Sequence, residues 1–273
     1  MFHKKRFNLI FLEMNKIIKN IFLVILFAFS NYTFAQTTSG AKASEELRQL
    51  IDLPTAGILS GGTMGLNFDI LQNGILISKL ELAVMDNLSL GISYGGSNII
   101  GAGTPDLYIH PGFDIKFRLI KESLLFPSIT LGYNSQGVGK YDKSLKRYEI
   151  KSKGFYAAVT KNYNLLGYLS LHGVINYSYE NKDGDSYINF GVGFEKTIGP
   201  FLSVMSEYDF ALNDNSNEIY GKGSGYLNVG LRFSLGIGLS LGMDLRNILE
   251  NKKNQPYRGV ERAVRVEYLL NIY

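Results

Sequence analysis

The stretch TMGLNFDIL, residues 63–71, carries an apolar side chain at every second position. The apolar residues are Met64, Leu66, Phe68 and Ile70, and the residues between them are Gly65, Asn67 and Asp69. Successive side chains of a β-strand point to opposite faces, so a period of two predicts a strand with one apolar and one polar face. This pattern decides the fold because it recurs to the end of the chain.

Eleven further segments repeat the alternation. Their first apolar positions are Leu76, Leu88, Phe113, Ile129, Phe155, Leu169, Ile188, Leu202, Leu227, Leu239 and Val264. Short and long connections largely alternate between them. The short ones are 85–87, 121–123, 162–167, 198–200 and 234–236, and the long ones are 96–111, 135–147, 213–224 and 247–259. Short turns at one end and long loops at the other are typical of bacterial outer-membrane barrels.

The fold class that we predict is all-β: a transmembrane antiparallel up-and-down β-barrel of about 12 strands, residues 57–273, in the outer membrane of a Gram-negative-type envelope. With an even strand number, both termini lie at the short-turn end, which faces the periplasm. A secreted β-sandwich also alternates, but it has no reason to segregate short and long turns. Glycines on the face opposite the apolar one also favour a closely packed barrel interior.

The N-terminal 35 residues predict a cleaved signal peptide. Lys16 and Lys19 precede an apolar run, 21–29, and small residues precede Gln36. Nine apolar residues are too few to cross a bilayer, which takes about 20. We interpret 36–56 as a periplasmic N-terminal segment. Within it, 44–50 is open to three readings: a short periplasmic helix, a plug, or neither.

Composition excludes several classes of protein. The chain has no Cys, which rules out a lipoprotein anchor on cysteine and a disulfide framework. The net charge is +4, from 28 Lys and Arg against 24 Asp and Glu. The first 35 residues hold five of these bases and one acid, so removal of the signal peptide leaves a neutral chain. No global charge therefore favours nucleic-acid binding.

The polar face of the strands supplies the candidate functional residues. This face carries eight acidic and six basic side chains, so its charges nearly cancel. The lumen-lining candidates are Asp114, Lys116, Arg118, Glu207, Asp209, Arg232, Asp244 and Arg246. A channel for acidic oligosaccharides needs a strongly basic lumen, because a dehydrated anion needs compensating charge. We therefore expect an internally salt-bridged interior and a narrow, gated or closed barrel.

One constellation resembles a catalytic site. Ser170, His172 and Asn176 share a strand face, and a twelve-stranded outer-membrane phospholipase uses Ser, His and Asn. Phospholipid hydrolysis needs the site to face lipid, whereas this face is the polar one. We therefore predict that the protein is not an enzyme. Asn and Asp clusters in the loops are interpreted as solvated turns, and no cofactor or metal is predicted.

Four short strings resemble a known family. They are Pro54–Gly57 (PTAG), Gly91–Gly96 (GISYGG), Asn134–Gly137 (NSQG) and Lys151–Tyr156 (KSKGFY). Together they resemble the YjbH-like family of outer-membrane proteins. The resemblance implies a role in exopolysaccharide production and export.

Two functional hypotheses follow from these observations. The first is transport, or exopolysaccharide assembly and export. The alternative is a structural or binding barrel with a closed lumen, whose loops 96–111 and 213–224 contact a ligand. The predicted partners are outer-membrane lipid and lipopolysaccharide, together with a polysaccharide or an export machinery, for a protein that is monomeric.

Overall fold

The computed structural model describes residues 38–215, 220–253 and 259–272. The predicted signal peptide, 1–35, lies outside these residues, and so does the terminal Tyr273. Within the described residues, no helix is both long and apolar enough to cross a membrane.

The described residues form fifteen strands. Their bounds are β1 (Thr63–Leu71), β2 (Ile75–Met85), β3 (Leu88–Ser97), β4 (Asp106–Leu107), β5 (Gly112–Ile120), β6 (Ser128–Asn134), β7 (Val138–Asp142), β8 (Arg147–Ile150), β9 (Gly154–Asn164), β10 (Tyr168–Tyr177), β11 (Asn189–Ile198), β12 (Leu202–Asp209), β13 (Tyr226–Gly236), β14 (Leu239–Arg246) and β15 (Glu261–Asn271). Two short 3-10 turns lie at Gln72–Gly74 and Leu212–Asp214.

Twelve of these strands close into a ring. Every strand except β4, β7 and β8 pairs antiparallel with a neighbour on each side. Closure comes from the first and last strands, since β1 pairs with both β2 and β15. β3 joins β2 to β5, and β6 pairs with β9. The prediction of an antiparallel twelve-stranded barrel is confirmed.

The barrel is apolar outside and polar inside. In β5, Phe113, Ile115 and Phe117 are 52%, 44% and 42% exposed, whereas Asp114 and Lys116 between them are 9% and 4% exposed. The other strands also place apolar side chains outside and polar ones inside, which is the reverse of a soluble protein. A closed barrel leaves no unpaired strand edge, and its apolar exterior suits hydrocarbon. The chain is therefore an outer-membrane barrel whose exterior contacts lipid.

The structure differs from the sequence-based expectations in two places. The long connection 135–147 holds a hairpin, β7–β8, that forms a separate two-stranded sheet. We name it the outer hairpin. The segment 36–56, interpreted as periplasmic, lies in its described part mostly within the barrel. Residues 50–59 are buried, and their partners are inward-facing side chains of the strands. We name residues 45–59 the plug.

Candidate functional site

The plug enters the lumen as a tight hairpin. The Thr55 amide donates to the carbonyl of Arg48 at 3.1 Å, and the Leu50 amide donates to the carbonyl of Leu53 at 2.9 Å. The chain thus turns back on itself at Ile51 and Asp52. Both ends of the hairpin lead to the short-turn end of the barrel, where β1 begins two residues beyond Gly61.

The tip of the plug surrounds a carboxylate of the wall. Glu207 of β12 accepts hydrogen bonds from three successive amides, those of Ile51, Asp52 and Leu53, at 3.0, 2.7 and 2.9 Å. Its fourth partner is the side-chain amide of Asn228 at 2.8 Å. Successive backbone N–H groups form a concave anion-binding site. Here the anion belongs to the barrel and the binding site belongs to the plug.

One plug cation bridges two strands of the wall. Arg48 donates to Glu81 of β2 at 2.7 Å and to Glu267 of β15 at 2.6 Å. All three side chains are almost completely buried. Ion pairs of this kind gain little net stability over apolar packing, but breaking one leaves an uncompensated buried charge.

Two ion pairs have the opposite polarity, with the cation on the wall. Arg246 of β14 pairs with Asp52, and Arg118 of β5 pairs with Glu46. Other wall cations bind backbone carbonyls of the plug. Arg265 donates to the carbonyl of Ile51 at 3.0 Å and to that of Leu50. Arg232 also donates to the carbonyl of Leu50, and Lys116 donates to that of Arg48.

Apolar contacts complete the fit of the plug. Leu50 and Ile51 pack on Met205, and Leu53 packs in a cluster with Tyr156, Ala158 and Val174. Two inward glycines of β11 make room for this packing. A Cβ at Gly191 would lie 2.6 Å from Leu53, and a Cβ at Gly193 would lie 2.5 Å from Leu50. Both distances are shorter than a van der Waals contact, so a larger side chain at Gly191 displaces Leu53, and one at Gly193 also meets the Ser206 carbonyl of the wall at 2.7 Å.

The opposite end of the lumen is covered by the outer hairpin. Tyr148 of β8 packs with Ile75 and Ile77 of β2, and Ile150 packs with Ala211 and Tyr226. β2 and the β12–β13 connection lie on nearly opposite sides of the ring. The outer hairpin therefore crosses the mouth from wall to wall.

Arg147 fastens the outer hairpin to two neighbouring loops. It is fully buried and binds Asp183 in the β10–β11 loop and Asp214 in the β12–β13 loop. Its guanidinium carbon also lies 4.1 Å from the ring centre of Tyr220. Burial lowers the pKa of an arginine, but the charges of Asp214 and Asp183 outweigh it and raise the pKa of Arg147.

Two cavities flank the plug in the described part of the chain. One, of about 70 Å³, separates the plug from the outer hairpin and is lined by residues of both, including Arg48, Val138 and Ile150. The other, of about 180 Å³, lies toward the short-turn end beside Glu45, Glu122 and His172. The structure thus contains a lumen that is filled in the middle and covered at its long-loop end.

All eight lumen-lining candidates are buried inside the barrel. Five of them contact the plug: Lys116, Arg118, Glu207, Arg232 and Arg246. The other three pair elsewhere: Asp114 with Asn134, Asp209 with Lys153 and Asp244 with Arg232. The sequence predicts pairing of the inward cations with inward acids. Arg232 follows this expectation, whereas Arg118 and Arg246 take their carboxylates from the plug.

Two residues of the Ser170, His172 and Asn176 constellation bind polar groups inside the barrel. His172 Nδ1 lies 2.9 Å from the hydroxyl of Thr160, which in turn accepts the amide hydrogen of Ala56 at 3.0 Å. Asn176 donates to the carbonyl of Lys153. Both side chains therefore belong to the packing between the wall, the plug and the loops.

Sequence reasoning missed the plug side of every one of these contacts. Glu46, Arg48 and Asp52 are absent from the candidate residues because no strand pattern covers them. The run EELRQLIDL, 45–53, was still informative, since it mixes four charges with apolar residues just before a barrel with a glycine-rich interior.

No family model matches the sequence, and no curated protein matches it. Solved structures resemble it in shape at low identity. The KdgM porin has 9% identity, covers 76% of this chain and 98% of its own, and has a TM-score of 0.47. The NanC porin has 7% identity, the same coverages and a TM-score of 0.43. Omp33 of Acinetobacter baumannii has 8% identity, coverages of 76% and 97%, and a TM-score of 0.41.

Proposed function

We propose that this protein is a gated transport channel of the outer membrane that its own plug closes at rest. The observation that carries the proposal is the polar wall beneath the plug. Arg118, Arg246, Glu81 and Glu267 all take an ionic partner from the plug. A permanently filled core gains more from apolar packing than from buried ion pairs. Charged walls are instead what a water-filled lumen requires.

The attachment of the plug supports the same function. Both ends of the hairpin lie at the short-turn end, so it can leave toward the periplasm without breaking a strand pair. Barrels with about eight strands have interiors filled by side chains, whereas those with about 16 enclose water. A twelve-stranded barrel lies between these limits, and once the plug has left it has room for a narrow pore.

The charge of the lumen bears on the cargo. Residues 45–59 carry three acids and one base, so departure of the plug removes two net negative charges. The strands that remain have nearly balanced inward charges. A mixed lumen suits an uncharged or weakly charged hydrophilic cargo better than a strongly anionic one. We propose a neutral saccharide, with polysaccharide assembly or export as its setting; this last step rests on the YjbH-like resemblance alone.

The alternative is a monomeric barrel that stays closed and binds a ligand with its loops. The observation that favours it is the outer hairpin, which Arg147 fastens across the mouth. A channel of this structure must move two elements, the plug and the outer hairpin. A binding protein need move neither.

Single-channel recording with a removable tether separates the two functions. The chain has no Cys, so Leu53→Cys with Gly191→Cys creates one disulfide between plug and wall. The proposal expects openings of the wild type in planar bilayers, none from the oxidised double variant, and recovery after reduction. Leu53→Cys alone, oxidised in the same way, is the control. A wild type that never opens, together with a reduced variant that is equally silent, supports the closed barrel instead.

A further inference from the structure

The turn between β5 and β6 exposes three consecutive apolar side chains. Leu124, Leu125 and Phe126 are 98%, 86% and 63% exposed. The turn lies at the short-turn end, beyond the last pairs of the barrel. A turn in water normally carries polar residues, Gly or Pro. Three exposed apolar residues in a row therefore need an apolar partner.

Several polar atoms of this turn are hydrogen-bonded within the protein. Lys161 of β9 donates to the carbonyls of Ser123 and Leu124, and the Phe126 amide donates to the Ser123 hydroxyl at 3.0 Å. Glu122 pairs with Lys161 at 3.1 Å and accepts from the Asn162 amide at 2.8 Å. A turn in water has no need of these partners. A turn in an apolar medium needs them, because an unsatisfied backbone group is costly there.

The turn between β9 and β10 has the same construction. Leu166 is 95% exposed and has a φ of +45°, a left-handed conformation that a tight hairpin turn normally assigns to Asn or Gly. Its carbonyl accepts from Lys196 at 2.9 Å, and the Leu165 amide donates to the carbonyl of Gly167 at 2.8 Å. A leucine is unfavourable in this left-handed conformation, and its side chain is exposed instead of packing against the barrel.

The two turns form one continuous apolar sector. Because β6 pairs with β9, they are neighbours at the same end of the barrel. The sector continues the lipid-facing band, since Leu119 and Ile120 at the end of β5 are exposed on the outer wall. Tyr163 and Tyr168, both about half exposed, flank the second turn, as aromatic residues do at a membrane interface. We name this sector, 121–127 with 163–168, the apolar rim.

We propose that the apolar rim inserts into the phospholipid of the inner leaflet of the outer membrane. It extends the lipid contact of this side of the barrel past the ends of the strands. Lys161 and Lys196 turn their charged ends inward to the backbone, which leaves the leucines and the phenylalanine for the acyl chains. Insertion of the apolar rim does not depend on whether the lumen opens.

Tryptophan fluorescence tests this placement, because the chain contains no Trp of its own. Leu125→Trp and, separately, Leu124→Trp are reconstituted into phosphatidylcholine vesicles with and without brominated phosphatidylcholine. Leu231→Trp, on the lipid face of β13, is the control for lipid contact. Asn87→Trp, in the polar β2–β3 turn at the same end, is the control for water.

The proposal expects blue-shifted emission from both rim variants and quenching by the brominated lipid at least half as strong as that of Leu231→Trp. Asn87→Trp should emit at longer wavelength and be quenched least. Emission and quenching of both rim variants equal to those of Asn87→Trp would overturn the inference. That result would assign the apolar rim to a periplasmic protein instead, since the vesicles contain none.

Discussion

The guanidinium of Arg48 lies 2.6 Å from the carboxylate of Glu267, a residue 219 positions further along the chain. This contact joins the plug to the strand that closes the ring. Glu81, on the other side of β1, shares the same guanidinium. The plug thus places one positive charge between the carboxylates of two strands, and its removal leaves both acids facing the lumen.

Arg48→Ala should lower the free energy of unfolding by about 3–5 kcal/mol, the cost of removing one partner of a buried ion pair. Urea titration in detergent micelles measures the loss. Lys143→Ala is the matched control, because Lys143 pairs with Asp106 in an exposed setting. Exposed pairs contribute less than about 1 kcal/mol. Equal losses from the two variants would contradict the buried network.

Leu231→Arg should reduce folding into liposomes, since a cation at the bilayer midplane costs about 2–4 kcal/mol. Ile100 offers a control of equal exposure, 46% against 45%, but in the β3–β4 loop beyond the strands. Ile100→Arg should fold like the wild type. Folding yields measured by the mobility of the unheated barrel on gels compare the two. If both variants lose the same yield, the lipid-facing register is wrong.

Gly191→Val should displace the plug and raise the open probability of the channel. The nearest atoms to a Cβ at this position all belong to Leu53, so the wall itself need not shift. Overpacking of this kind costs about 1–3 kcal/mol. Gly173→Val is the control, because no atom lies within 4 Å of its added Cβ. Planar-bilayer recordings in which the two variants behave alike would argue against a plug that moves.

The outer hairpin should lose protection in acid. Burial raises the pKa of Asp142, but hydrogen bonds from Ser144, Leu145 and Tyr220 outweigh it and lower the pKa to about 2. A lowered pKa means that the stabilisation is complete above the unfolded value, about 4, and is lost as the pH falls toward 2. The protection factors of the Ser144 and Leu145 amides in hydrogen exchange, corrected for the intrinsic rate at each pH, should therefore fall over this range. Asp142→Asn should abolish that pH dependence; its persistence in the variant would assign it to another group.

Cysteine labelling tests which end of the barrel faces the periplasm. In intact cells, cysteines at Asp86 and Glu122 should resist a membrane-impermeant thiol reagent, whereas one at Asn215 should react. The chain has no Cys to interfere. The cysteines at Asp86 and Asn215 should both react after the outer membrane is permeabilised, which controls for local accessibility. Labelling at Glu122 in intact cells would invert the topology.

The wall of the barrel was predictable because each strand contains its own signal. The alternation from Phe113 to Leu119 predicts which side chains face lipid. The number of strands and the lengths of the turns then predict a closed barrel. The plug has no such signal. Its conformation depends on Glu207, Glu267 and Arg246, which lie far away in sequence and meet only once the ring has closed. The outer hairpin was missed for the same reason, since Arg147 finds its acids in two other loops.

Closure of the ring by β1 and β15 has a consequence for folding. The pairing of Asn67 with Glu267 joins positions 200 residues apart, and such distant contacts make folding slow. The plug lies directly before β1, so the two reach the last strand together. Arg48 and Asp52 add charged contacts to β14 and β15 at the seam where the ring closes. We therefore expect the residues that obstruct the lumen to favour closure of the ring as well, so that their loss slows folding and lowers the final stability.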